Sequence, residues 1–301
     1  MFSKRLSWGP ASFVLCVISG QICLAGRIIA WGNNEYGQVS GIPAGSNYTQ
    51  IQAGENHAIA LNTQGKIFCW GDDRQHQVSG APKTDGFVAV AAGGNTSMAL
   101  HSRGEIVVWG ADNKKQVTDA PSEPNFVAIA CGYQHCLALT RNGEIVSWGD
   151  DRYGQVSQTP KGSDFIKIAA GKFHSLALTK TGNIVCWGND FGNAVANTPS
   201  SGAFVAVAGG NSFSAALRSD GKIIPWGFDG SQQISDVPLE TNFTEQIACG
   251  EKTAMAVTTA GKIVGWGQNT SDILSVLSVL NNAERFTKIT LGSKTAYALA
   301  E

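Results

Sequence analysis

A tryptophan–glycine pair recurs along the chain at a nearly constant interval. The seven pairs follow one another at 39 residues five times and at 40 residues once. A second column of glycines and a column of prolines keep the same period. Because several aligned positions recur with the same period, the chain consists of seven copies of one structural unit. The tryptophans of the seven pairs are Trp31, Trp70, Trp109, Trp148, Trp187, Trp226 and Trp266.

One unit contains four short β-strand patterns separated by turn residues. In residues 87–118 these patterns are FVAVAA, SMALHS, EIVVW and QVT, and Gly104 marks a tight hairpin between the second and the third. Four antiparallel strands repeated about every 40 residues are typical of a propeller blade. The sequence therefore predicts an all-β fold, a seven-bladed β-propeller of four-stranded antiparallel blades.

The two ends of the repeat region predict how the ring closes. The chain ends with a second-strand pattern, TAYALAE, whereas the repeats begin at Gly26 with a third-strand pattern, RIIAW. Pairing of these terminal segments completes one blade and leaves no open sheet edge. We therefore expect a single propeller domain over residues 26–301.

Composition narrows the classes of function. Glycine contributes 36 of the 301 residues and charged residues only 15 %, which indicates a folded, turn-rich chain. The formal net charge is −1, so a strongly basic nucleic-acid binder is not expected.

The first 25 residues resemble a secretory signal. Lys4 and Arg5 precede a mostly apolar stretch from Ala11 to Ala25, which is too short to span a membrane. Small residues before Gly26 favour cleavage near Ala25. We expect a signal peptide at 1–25 and an exported, periplasmic or secreted protein with no membrane segment in its mature form.

The repeats resemble a known family. Segments such as GEIVSWGDDRYGQVSQTPKGSDFIKIAAGKFHSLALTKTG are similar to repeats of the regulator of chromosome condensation family, and the similarity extends over residues 26–301. Its period and signal-like start are most similar to the secreted bacterial branch that inhibits β-lactamase. The resemblance implies the propeller fold; it also implies guanine-nucleotide exchange on a small GTPase, or β-lactamase inhibition, as alternative functions.

The histidines and cysteines of the chain do not form a recognisable catalytic pattern. His57, His135 and His174 share a column that also accepts Phe213, which indicates packing rather than metal binding. The five cysteines beyond residue 25 occupy columns of small residues; of these, Cys131 and Cys136 are close enough in sequence for a disulfide across a turn. No recognised catalytic motif is present. We expect a non-enzyme without cofactor or metal, and a monomer.

One face of the propeller is predicted to bind a protein partner. The first-to-second-strand turns and the loops after the third strands open on the same face, and they carry aromatic and basic residues, the side chains enriched at interface hot spots. The tryptophans, by contrast, are expected to pack between blades. The candidate binding residues are Tyr36, Arg74, Lys114, Tyr133, Arg152, Tyr153, Phe173, Phe191 and Phe228.

Overall fold

The computed structural model describes residues 15–18 and 21–301, and its main feature is a set of seven three-stranded antiparallel sheets. The inner strands, which contact one another around the ring, are Tyr48–Ala53 (β4), Phe87–Gly93 (β7), Phe126–Cys131 (β10), Phe165–Ala170 (β13), Phe204–Gly209 (β16), Phe243–Cys249 (β19) and Phe286–Leu291 (β22). The middle strands are His57–Asn62 (β5), Thr96–His101 (β8), His135–Thr140 (β11), His174–Thr179 (β14), Phe213–Arg218 (β17), Thr253–Thr258 (β20) and Thr295–Ala300 (β23). The outer strands are Arg27–Gly32 (β3), Ile67–Gly71 (β6), Ile106–Gly110 (β9), Ile145–Gly149 (β12), Ile184–Gly188 (β15), Ile223–Gly227 (β18) and Ile263–Gly267 (β21).

The ring closes through the two ends of the repeat region, as the sequence predicts. Strand β23 pairs antiparallel with β3 in the register Ala296↔Trp31, so the closing sheet has the order β22-β23-β3. Gly26 adds a bridge to Tyr48 at the start of the next sheet. Each of the seven blades therefore has two neighbours.

The prediction of four strands per blade is wrong, because each described sheet of the ring has three. The segment expected as a fourth strand forms turns instead. We number the blades in chain order from the sheet β4-β5-β6, so that the closing sheet β22-β23-β3 is the seventh. In the loop after the second blade Lys115 takes φ = 60°, and the Asp112 carboxylate accepts the backbone N–H groups of Val117 and Thr118. These N–H groups are then unavailable to a sheet ladder, so the QVT segment cannot extend the blade.

The core lies between adjacent blades. The middle strands are almost completely buried, and each core cluster draws residues from neighbouring sheets, as with Leu137, Phe165 and Trp187. All seven repeat tryptophans are between 3 % and 8 % exposed. Each indole N–H donates to a backbone carbonyl in the preceding loop, for example Trp148 Nε1 to the Gln116 oxygen at 2.8 Å. Each tryptophan thus fills space between blades and also ties two of them together.

Neighbouring blades approach most closely at the glycines that stand at or just after the end of each inner strand. This glycine column consists of Gly54, Gly93, Gly132, Gly171, Gly210, Gly250 and Gly292. A Cβ on Gly93 would lie 2.2 Å from the carbonyl oxygen of Gly132, its counterpart in the next blade. No side chain fits at that distance, which explains the repeated glycine at the end of the inner strands.

The last connection differs from the others. It contains a 3₁₀ turn at Thr270–Asp272 and a helix, Leu277–Ala283 (α1), in which Leu277 is buried. Another 3₁₀ turn lies at Phe191–Asn193. Among the residues that the structure describes, no helix is long and apolar enough to cross a membrane.

The predicted signal segment of residues 1–25 lies largely outside the described residues. Within it, Leu15–Ile18 (β1) and Gln21–Leu24 (β2) form a two-stranded antiparallel sheet of their own.

Candidate functional site

The loops after the outer strands share one backbone design. The second residue after each tryptophan–glycine pair is Asp or Asn, and its side chain accepts the backbone N–H five residues later and, in six of the seven loops, also the one six residues later. The loop is thereby fixed by its own chain. The two residues that directly follow the Asp or Asn are exposed or half-buried in every loop. The seven Asp or Asn residues are Asn34, Asp73, Asp112, Asp151, Asp190, Asp229 and Asn269.

Two of these loops present an arginine held by a buried aspartate. Asp72 is 3 % exposed and accepts both Nε and Nη2 of Arg74, at 2.9 and 2.8 Å. These hydrogen bonds hold the pKa of the Asp72 carboxyl below its usual value. Two repeats later Asp150, 4 % exposed, accepts Nε of Arg152 at 2.9 Å. The paired acids thus position cations on the loop surface, and each guanidinium keeps an exposed side for a ligand.

Three aromatic residues from the third and fourth blades meet on this face. The Phe173 ring lies 5.8 Å from that of Tyr133 and 5.7 Å from that of Tyr153, in edge-to-face geometry. The Lys172 ammonium lies 5.0 Å from the Tyr133 ring, and the Arg152 guanidinium lies 5.8 Å from the Tyr153 ring. We call these five residues the aromatic patch.

The register of the blades explains why residues far apart in sequence meet there. His135 pairs with Gly149, so the turn that carries Tyr133 lies beside the start of the loop that carries Tyr153. The Tyr133 N–H donates to the Lys172 oxygen at 3.1 Å, which brings the corresponding turn of the next blade alongside. Arg152 also donates to the Gln134 side chain at 3.1 Å. The patch is therefore held by contacts within and between blades.

The other candidate binding residues also lie on loops of this face, in smaller groups. Arg74 lies over the Tyr36 ring at 4.6 Å, and Lys114 reaches Asp150 at 3.5 Å. Phe191 and Phe228 contact each other at 5.5 Å and are 62 % and 40 % exposed. The structure therefore groups all nine candidate residues into contacts between adjacent loops, and Lys172 joins them.

At the centre of the same face the glycine column surrounds a cavity of about 120 Å³. Nine of its twenty lining residues are glycines, and Tyr133, Lys172, Glu55 and Glu251 line it as well. Aromatic and charged groups thus continue from the patch to the central axis.

The histidine column is structural and connects blades. Each of these histidines is 1 % exposed, and its Nε2 lies within hydrogen-bond distance of a serine hydroxyl in the next blade, from 2.7 to 2.9 Å. The pairs are His57–Ser97, His135–Ser175 and His174–Ser214. Burial lowers the pKa of each imidazole to about 4, so the rings are neutral near pH 7.

Sequence reasoning missed these pairs, although the repeats contain the signal. Wherever the column holds histidine, the facing position of the next repeat is serine; elsewhere that position is alanine or cysteine. Within residues 15–18 and 21–301, no three His, Cys, Asp or Glu side chains come together in a group that could hold a metal ion.

Comparison with known proteins agrees with the repeat architecture. The model of the regulator of chromosome condensation (RCC1) repeat matches residues 48–77, 87–116, 126–155, 165–192 and 245–272. No curated protein matches the chain.

Solved structures share the fold at low identity. Prp20p from Saccharomyces cerevisiae is 18 % identical, with a TM-score of 0.76 over 96 % of this chain and 93 % of that chain. Human WBSCR16 is 20 % identical, with a TM-score of 0.73 over 92 % and 99 %. The ectodomain of the receptor kinase CR4 from Physcomitrella patens is 20 % identical, with a TM-score of 0.64 over 79 % and 66 %. The chain is therefore a seven-bladed propeller of the regulator of chromosome condensation (RCC1) repeat family.

Proposed function

We propose that this propeller is a non-enzymatic binding protein that engages a protein partner through the aromatic patch and the loops around it. The observation that carries the proposal is the clustering of Tyr133, Tyr153 and Phe173 with two cations on one face. Aromatic and arginine side chains on a rigid support are the usual anchors of protein interfaces, because they bury large areas and lose little conformational entropy.

The neighbouring charges support a protein ligand. Asp72 and Asp150 are buried and already paired with arginines, and the loop carboxylates accept their own backbone N–H groups. The cations are more exposed than the acids that hold them, with 52 % of the Arg152 side chain accessible against 3 % for Asp150. The patch therefore suits a partner surface with apolar side chains beside carboxylates.

A solved relative of the same fold binds proteins. Yeast Prp20p, which is yeast RCC1, is described with binding to Gsp1p and to histones and, in a second structure, bound to Kap60. We extend protein binding, but none of these partners, to this chain. We also propose export after cleavage near Ala25, on the basis of Lys4, Arg5 and the apolar stretch that follows them.

The test removes the aromatic rings and leaves the buried charges paired. Tyr153→Ala combined with Phe173→Asn deletes two rings, and asparagine already occupies the Phe173 position in two other repeats, as Asn56 and Asn95. Arg152 is retained because it neutralises Asp150. Proteins captured from an extract of the native source by the parent should be lost by this variant, with a cost of about 2 kcal/mol or more if the rings are anchors.

The matched control changes exposed apolar residues on the opposite face. Val127 and Ile166 are each 45 % exposed, and threonine occupies their column in other blades, as in Thr49 and Thr244. Val127→Thr with Ile166→Thr should keep the captured proteins. Retention by the patch variant together with loss by the control would show that the other face binds. Release of labelled nucleotide from a captured small GTPase would instead favour the nucleotide-exchange alternative.

A further inference from the structure

Two cysteines face each other beside the turn that carries Tyr133. Cys131 is the last residue of β10 and pairs in register with Cys136, the second residue of β11. Their Sγ atoms lie 3.7 Å apart, and both are free thiols. Cys16 and Cys23 also oppose each other, in the separate β1–β2 sheet of the predicted signal segment. The remaining cysteines of the propeller face other residues: Ile59 opposes Cys69, Leu176 opposes Cys186 and Ala254 opposes Cys249.

The backbone at this pair suits a covalent bond. The next pair along the ladder carries a hydrogen bond from the Gly132 N–H to the His135 oxygen. Because bonded and non-bonded pairs alternate in antiparallel sheets, Cys131 and Cys136 form a non-bonded pair with Cα atoms about 4.5 Å apart. Disulfides span Cα separations of about 4.4 to 6.8 Å, so side-chain rotation alone can join the sulfurs.

We propose that Cys131 and Cys136 form a disulfide that links β10 to β11 and constrains the turn between them. The turn encloses Tyr133 of the aromatic patch and Gln134, which accepts a hydrogen bond from Arg152. The bond would hold these side chains ready for a ligand, because it restricts the turn that presents them. Its effect on recognition rests on the proposed function, whereas formation of the bond does not.

The chemistry is thiol–disulfide exchange with a disulfide oxidant such as oxidised glutathione. One cysteine thiolate attacks the oxidant and releases one glutathione thiol; the second thiolate then attacks the mixed disulfide and releases the other. Two protein thiols are oxidised, one glutathione disulfide is reduced, and the two protons end on the released thiols.

Burial decides when this exchange can occur. Cys136 is fully buried, and contact with its thiol together with burial holds the pKa of Cys131 well above the usual range. Few thiolates are therefore available in the finished propeller. We expect the bond to form mainly as the chain folds, before the neighbouring blades cover it.

The experiment maps these two thiols directly. Reduced, unfolded protein is refolded with excess oxidised glutathione, unfolded again without reductant, alkylated and digested with trypsin. The fragment from residue 116 to residue 141 contains both cysteines and no others. We expect it to carry neither an alkyl group nor glutathione and to be lighter by two hydrogens than the fully reduced fragment. Cys69, Cys186 and Cys249 have no cysteine opposite them, so each should carry either an alkyl group or glutathione.

Alanine variants provide the controls. Alanine occupies the Cys131 column in other repeats as Ala53 and Ala170, and the Cys136 column as Ala58 and Ala254. Cys136→Ala should make Cys131 reactive, while Cys249→Ala should leave the fragment protected; circular dichroism checks that both variants fold. Alkylation of both cysteines in the refolded parent, or glutathione trapped on either one, would overturn the proposal.

Discussion

The buried histidine–serine pairs explain why a histidine in one repeat is always accompanied by a serine at the facing position of the next repeat. His57, His135 and His174 each face a serine across a blade interface, and the Nδ1 atoms of His57 and His135 have no hydrogen-bond partner in the structure. A neutral ring that donates from Nε2 satisfies this geometry, because Nδ1 then carries no proton. A protonated ring would place a positive charge and an unsatisfied donor in the core.

This arrangement predicts loss of stability in mild acid. Each imidazole has a pKa of about 4 in the folded protein and about 6.5 when unfolded, so the unfolded chain takes up protons first as pH falls. The stabilisation is complete above pH 6.5 and is lost progressively towards pH 4, by roughly 3 kcal/mol for each buried histidine. Urea unfolding measured at steps between pH 7 and pH 4 checks the slope.

The control replaces one histidine–serine pair with the residues that another blade has at the same two positions. Blade six has Thr253 facing Ala296, and the Thr253 hydroxyl donates to the Gln268 carbonyl. His135→Thr with Ser175→Ala copies that pair into blade three and should remove about one third of the pH slope. An unchanged slope in this variant would assign the acid sensitivity to other groups.

At the scale of structural elements, the loop after each outer strand decides the shape of the binding face. The fifth residue after the tryptophan–glycine pair has a positive φ; it is glycine at Gly37 and Gly154 but lysine at Lys115, where φ is 60°. Non-glycine residues are strained there by contact of Cβ with the backbone. Several repeats therefore accept local strain to keep the same turn.

Lys115→Gly is expected to stabilise the protein. Lys115 is exposed, and relief of its left-handed conformation should outweigh the greater flexibility of glycine in the unfolded chain, by a few tenths to about 1 kcal/mol. Thermal unfolding measures the gain. Lys115→Ala, which keeps the strain and also deletes the lysine side chain, should show none; equal stability of the two variants would contradict the explanation.

At the scale of the whole molecule, the ring depends on one pairing between distant parts of the chain. Strand β23 lies between β22 and β3, and its Tyr297 is buried with its ring 5.8 Å from that of Trp70 in the next blade. The contacts of β23 therefore stabilise two blades.

Removal of residues 295–301 should destabilise the entire propeller. The deletion exposes the edges of β22 and β3 and opens the interface with the first blade, so cooperative unfolding should shift to markedly lower temperature. Differential scanning calorimetry, with hydrogen exchange to locate the opening, tests this. Deletion of Glu301 alone is the control; a parent-like midpoint after the longer deletion would show that β23 does not close the ring.

The repeat period and the strand pattern are enough to predict the number of blades, the strands that close the ring and the face on which Tyr153 and Phe173 lie. These features follow from the repeat period and from the alternating strand direction, and each of the seven repeats carries the pattern that indicates them. Three other features became visible in the folded chain: the blades stop at three strands, His135 reaches Ser175, and the sulfurs of Cys131 and Cys136 meet. A fourth strand is excluded because the Asp112 carboxylate accepts the backbone N–H groups that the strand would need. The other two contacts join side chains across strands or blades. A local pattern suggests such partners, but only packing brings their atoms within reach.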